Sequence, residues 1–127
     1  MRLREIISES ISAVDLKQIE KFADKVFAKV GIDVEFTRHF INRLESRDSE
    51  ITAGELTRLF RQEAKRWGKP IAQMGPDAEG VMKDLKTDVN VPFILYWNKN
   101  NKELELRAKT IMKKKNFTTP NREFPIQ

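Results

Sequence analysis

The chain has 127 residues, 39% hydrophobic and 34% charged, with eight Phe and two Trp. That is room for one domain with a single core, and too much apolar content for disorder. Without Cys and with one His, a disulfide framework and a thiolate zinc site are excluded, and neither a metal nor a cofactor is expected. The net charge of +5 is uneven: residues 1–106 carry 18 Lys/Arg and 18 Asp/Glu, whereas 107–127 carry six Lys/Arg against Glu123 alone. A one-signed end suits phosphate or an acidic protein surface. No stretch approaches the roughly 20 apolar residues that cross a bilayer, so the chain reads as an intracellular domain with no membrane partner.

Taken in order, residues 1–13 place Leu3, Ile6 and Ile7 on one helical face and read as a short amphipathic segment. Asp15 followed by Gln18 predicts a cap, after which Leu16, Ile19, Phe22, Ala23, Val26, Phe27 and Val30 recur at helical spacing up to Gly31. Ile32, Val34 and Phe36 alternate with polar residues as in a short strand, and Thr37 is placed to cap a second helix with Phe40, Ile41 and Leu44 inward. Thr52 and Glu55 write a capping box for a third helix carrying Leu56, Leu59, Phe60, Ala64 and Trp67, which Gly68 and Pro70 are expected to end. Residues 80–86 suit either a strand or a helical turn. The β-branched and aromatic run Val89 to Trp97, the Asn98 to Asn101 turn and the alternation of Leu104, Leu106, Ala108 and Thr110 predict a hairpin. Pro92 predicts an edge position or a bulge at the start of its first strand. Residues 113–127 lack periodicity and read as a basic tail on a domain spanning 14–112. The fold class is therefore α+β, three helices packed on a small antiparallel sheet with a C-terminal β-hairpin.

Three groups of residues carry candidate chemistry. His39, Arg43 and Arg47 lie four apart on the second helix, where arginine forks could hold a phosphate and His39 transfer a proton, the combination of a metal-independent ribonuclease. Arg58, Arg61, Lys65, Arg66 and Lys69 make the outer side of the third helix basic, suited to a phosphate backbone. Arg107, Lys109, Lys113, Lys114 and Lys115, with Tyr96 and Trp97, put cations and aromatics in one β-region where bases could stack. The ordinary alternatives are a wet helix face for the charges and cross-strand packing for the rings. A Gly-rich phosphate loop, a nucleophile elbow and a helical metal-ligand motif are absent.

The string Phe36-Thr-Arg-His39-Phe-Ile-Asn-Arg43-Leu-Glu-Ser-Arg47, followed by Ile51-Thr52, a helix and the Phe93 to Thr110 hairpin, resembles the layout of RelE-type toxins over residues 32–112. It implies RNA cleavage with His39 and Arg43 as catalytic residues, and Tyr96, Arg107 and Lys109 as loose matches to the family's sheet residues. The chain as a whole, through its Val30-Gly31-Ile32-Asp33 junction, the Asp84 to Pro92 stretch and the Lys109 to Lys115 run, resembles a small family from large tailed phages. Residues 1–10 are similar to peptides that direct internal proteins into phage heads, with cleavage implied between Glu9 and Ser10. These resemblances imply a protein of the host cytoplasm or the virion head. The functions left open are a nucleic-acid-binding protein, an endoribonuclease, and an interaction module for an acidic protein.

Overall fold

The computed structural model describes residues 11–46 and 49–127, so the expectations for residues 1–10, including the Glu9/Ser10 cleavage, and for Arg47 lie outside the described residues. Helix α1 (Ala13–Ala28) starts earlier than the Asp15 pattern implies, because Ser12 takes the cap and its hydroxyl accepts the Asp15 amide at 3.1 Å. Leu16, Ile19, Ala23 and Phe27 point inward. Gly31, at φ +79, turns the chain into strand β1 (Ile32–Phe36), as its position predicts. Thr37 caps helix α2 (Arg38–Glu45), burying Phe40 and Leu44.

Helix α3 (Ala53–Ala72) opens with the expected Thr52/Glu55 capping box but runs past Gly68 and Pro70. Gly68 does not stop the helix: it is buried within α3 and faces the Val30 side chain just beyond the end of α1. Pro70 removes one amide donor, and buried Ile71 holds the last turn onto the core. The turn comes later, at Gly75 with φ +83.

Strand β2 (Glu79–Asp84) resolves the ambiguous stretch. Gly80 blurs its pattern for a structural reason, because a Cβ there would meet the rings of Phe93 and Phe124 at 2.8 and 2.9 Å. Strands β3 (Val89–Asn98) and β4 (Glu103–Ala108) form the expected hairpin. The short β5 (Met112–Lys113) pairs with the start of β3, and β6 (Arg122–Ile126) lies beside β2. The six-stranded sheet has the order β1-β4-β3-β2-β6, with β5 on β3. The β2–β3–β4 centre is antiparallel, and β1 and β6 join its two sides in parallel. With three helices among the described residues, the expected α+β class holds.

Two local expectations change. Strand β3 is central, and the irregularity demanded by Pro92 sits in its neighbours: residues 109–111 lie opposite Val91 and Pro92, between the end of β4 and the start of β5. The stretch read as a basic tail supplies an edge strand, with Phe124 buried against Trp67 and Phe93. Five residues interrupted by Pro125 are too few to show an alternation.

Helices α1 and α3 cover one face of the sheet, enclosing Phe27, Phe40, Phe60, Phe93 and Phe124. Both sheet edges are closed by side chains. On β1, the outward amides of Val34 and Phe36 donate to Asp24 at 2.9 Å and Glu20 at 2.8 Å, carboxylates one turn apart on α1. On β6, Pro125 has no donor, and its carbonyl accepts the Trp67 indole N–H at 2.8 Å. Edges blunted in this way resist pairing with other strands. Hydrogen bonds to charged groups contribute ~1.5–3 kcal/mol, so Glu20→Ala and Asp24→Ala should each lower the urea-unfolding free energy by about 1–3 kcal/mol. Unchanged midpoints in both variants would show that the edge closure contributes nothing.

Candidate nucleic-acid interface

The structure divides the predicted cations into engaged and free groups. Arg58 is turned inward and donates to the fully buried Asp84 carboxylate at 2.8 Å. Arg107 lies 4.0 Å from the Tyr96 ring centre and pairs with Glu105 at 2.7 Å and Glu35 at 3.3 Å. Lys109 pairs with Glu79, and Lys113 with Glu55. Arg66 lies 5.8 Å from the Trp67 ring. Lys114 and Lys115 are exposed on the segment after β5. Arg61, Lys65 and Lys69 are exposed at four-residue spacing along α3 and reach no described carboxylate.

Sequence reading missed the other half of this surface. Lys17, Lys21, Lys25 and Lys29 also recur every four residues, all exposed, along α1. The interleaved acids Glu20 and Asp24 masked them as a balanced helix, yet both acids bond the β1 edge. On α3, Glu55 caps the helix and pairs with Lys113, and Glu63 is buried. The outer surface of the two helices thus carries seven cations without an ion pair to any described residue.

The uncovered sheet surface has the opposite sign. Asp33 and Glu35 on β1 point the same way as Glu103, Glu105 and Arg107 on β4 and Tyr96 on β3. A hydrogen bond with Glu105, burial and the Glu105 charge hold the Glu35 carboxyl above the usual carboxylate range. The Asp33 charge does the same to Glu103. Burial pushes Glu105 up, but hydrogen bonds from Glu35 and Arg107 outweigh it and leave its pKa lowered. Tyr96 and Trp97, 45% and 42% exposed, therefore lie on a hairpin whose β4 partner strand is rich in carboxylates, and the expected union of stacking rings with free cations is absent there.

His39 is exposed, and no hydrogen bond or ion pair joins it to Arg43. Arg43 donates its Nε to the Ile111 carbonyl at 2.8 Å, tying α2 to the segment before β5. Arg43 also lines, with Ser46, Ser49, Glu50 and Lys113, a cleft of about 390 Å³ between α2 and β5. Among the described residues, no group of three or more His, Cys, Asp or Glu side chains is placed to hold a metal ion. No helix among them is long and apolar enough to cross a membrane.

No protein-family model, curated protein or solved structure matches the chain.

Under α3, Glu63 is 0% exposed and neither carboxyl oxygen has a hydrogen-bond partner. Burial, reinforced by the Asp84 charge, raises its pKa well above the ordinary value, against weaker pulls from the Lys83 backbone and Arg66. The folded protein therefore holds this proton more tightly than the unfolded chain does. That contribution to stability is complete below the ordinary carboxylate pKa and is lost as pH rises toward the folded value. Relative to Glu63→Gln, the native protein should lose stability over that window. Parallel stability curves for the two proteins, from denaturant unfolding across pH, would contradict a Glu63 pKa raised by burial.

Proposed function

We propose that the protein binds the phosphate backbone of nucleic acid through the outer face of α1 and α3, with Lys17, Lys21, Lys25 and Lys29 on one helix and Arg61, Lys65 and Lys69 on the other. The observation that carries this reading is the sorting of charge: Glu20, Asp24 and Glu55 are engaged elsewhere and Glu63 is buried, which leaves Asp15 in the first turn of α1 as the exposed acid of the two helices against seven cations facing water. Like charges at i,i+4 destabilise a helix by ~0.2–0.5 kcal/mol per pair, and α1 carries two such pairs, 17/21 and 21/25, with a third, 25/29, reaching its C-cap residue. A polyanion relieves that repulsion and releases its own counterions on binding. The setting proposed from sequence resemblance is a phage protein, in the host cytoplasm or packaged beside the genome in the virion head.

A specific observation favours a second reading, a metal-independent endoribonuclease. The cleft between α2 and β5 brings together Arg43 and Lys113, two cations from separate parts of the sequence, with Glu50 among its lining residues. His39 precedes Arg43 by one helical turn. Two cations hold a phosphate, and a carboxylate with a histidine can move the two protons of RNA transesterification.

Replacing Lys21, Lys25 and Lys65 together by Glu should abolish binding to a nucleic-acid oligonucleotide at moderate salt. Removing single lysines should lower the log-log salt slope by about 0.7–0.9 each. Retained affinity and slope in the triple variant would move the interface off the helices. For the second reading, RNA cleavage in EDTA should fall by about 10²- to 10⁴-fold in His39→Ala. Native protein that leaves RNA intact, or a fully active His39→Ala, removes that reading.

A further inference from the structure

Neither charged face is neutralised within one molecule. On the open sheet face, Asp33, Glu35 and Glu103 share a small area in which the strand cation, Arg107, is already held between Glu105 and Glu35. Crowding there is strong enough that the Asp33 charge disturbs Glu103. The covered part of this face lies elsewhere, where the segment after β5 crosses it: buried Lys83 donates to the Phe117 carbonyl at 2.6 Å, and buried Asn90 donates to Lys114 at 3.0 Å. The acidic area beside β1 is left open, with Tyr96 projecting from it. Around the β1 edge from it, Lys17, Lys21, Lys25 and Lys29 form an exposed row along α1, of which Lys21 reaches the rim of the cleft lined by Asp33, Glu35 and Glu105.

We propose that copies of this chain associate head to tail, the acidic β1/β4 face of one copy receiving the α1 lysine row of the next. Each protomer then uses two different surfaces, so the contact is heterologous and propagates into a ring or an open chain. Flexible lysine stems can lie along Tyr96 while their ammonium groups reach Asp33, Glu35 and Glu103. Free edges are not needed, since both are closed by side chains. Such an electrostatic contact should strengthen as salt is lowered. One consequence rests on the nucleic-acid reading above: a bound polyanion occupies the same lysine row and should disperse the assembly.

The test is a charge exchange read by sedimentation velocity. At low salt the native protein should sediment above the rate of a single chain and return to it as salt is raised. Glu35→Lys with Glu103→Lys, and separately Lys21→Glu with Lys25→Glu, should each sediment as single chains, with circular dichroism confirming the fold. Mixed in equal amounts, the two variants should associate again, because each supplies the face the other now complements. A native protein that remains a single chain at low salt, or a mixture without rescue, overturns the proposal. Should either variant lose its native spectrum, Lys21→Gln with Lys25→Gln replaces the reversal on α1, and association at the native level by that folded variant also overturns it. If the native assembly forms but duplex DNA fails to disperse it, association stands and the nucleic-acid reading falls.

Discussion

Two carboxylates on α1 decide more about this molecule than any residue of its sheet. Glu20 and Asp24 accept the outward amides of Phe36 and Val34, satisfying donors that an edge strand otherwise shows to water or to another chain. Because β1 is held to the helix as well as to β4, its five residues keep a fixed register against α1. The same two bonds withdraw both acids from the solvent side of the helix. Lys17, Lys21, Lys25 and Lys29 are then uncompensated, so closure of the sheet edge and exposure of the basic row are one arrangement seen from two sides.

Local patterns with strong periodicity were readable from sequence. The Thr37 cap, the Thr52/Glu55 box, the Gly31 turn and the hairpin about residues 98–101 each rest on contacts within a few residues, and each stands where expected. What escaped depended on distant partners. Pro70 stays helical because Ile71 packs on the core, and residues 122–126 become a strand because β2 is present to receive them. For the candidate site the difficulty was sharper. Side-chain spacing placed Arg58 beside Arg61 and Lys65 on the helix, but only the fold shows that it turns inward to Asp84. The α1 lysines were hidden by acids whose partners lie ten and sixteen residues away.

Charge sorting also separates two surfaces that the sequence joined. Aromatic rings and cations of the β-region were expected to work together, yet Arg107 is held by its own carboxylates over Tyr96, and its pKa is raised by the hydrogen bond with Glu105. Beneath α3, the half-buried Arg58, its buried partner Asp84 and the neighbouring Glu63 form a polar seam in an otherwise apolar interface. A seam of that kind adds little net stability but leaves one arrangement with fewest uncompensated groups, and it fixes how α3 sits on β2. The position of Arg61, Lys65 and Lys69 follows from that seating.

The central claim is that the basic outer surface of the helices meets polyanions while the sheet face does not. Amide chemical shifts followed by NMR during titration with a short oligonucleotide test this residue by residue. At a salt concentration where the protein is a single chain, shifts are expected at Lys17 to Lys29 and Arg61 to Lys69, with Asp33, Glu35, Tyr96 and Glu103 unmoved. Shifts concentrated on the hairpin and the β1/β4 face, with the two helices silent, would contradict it.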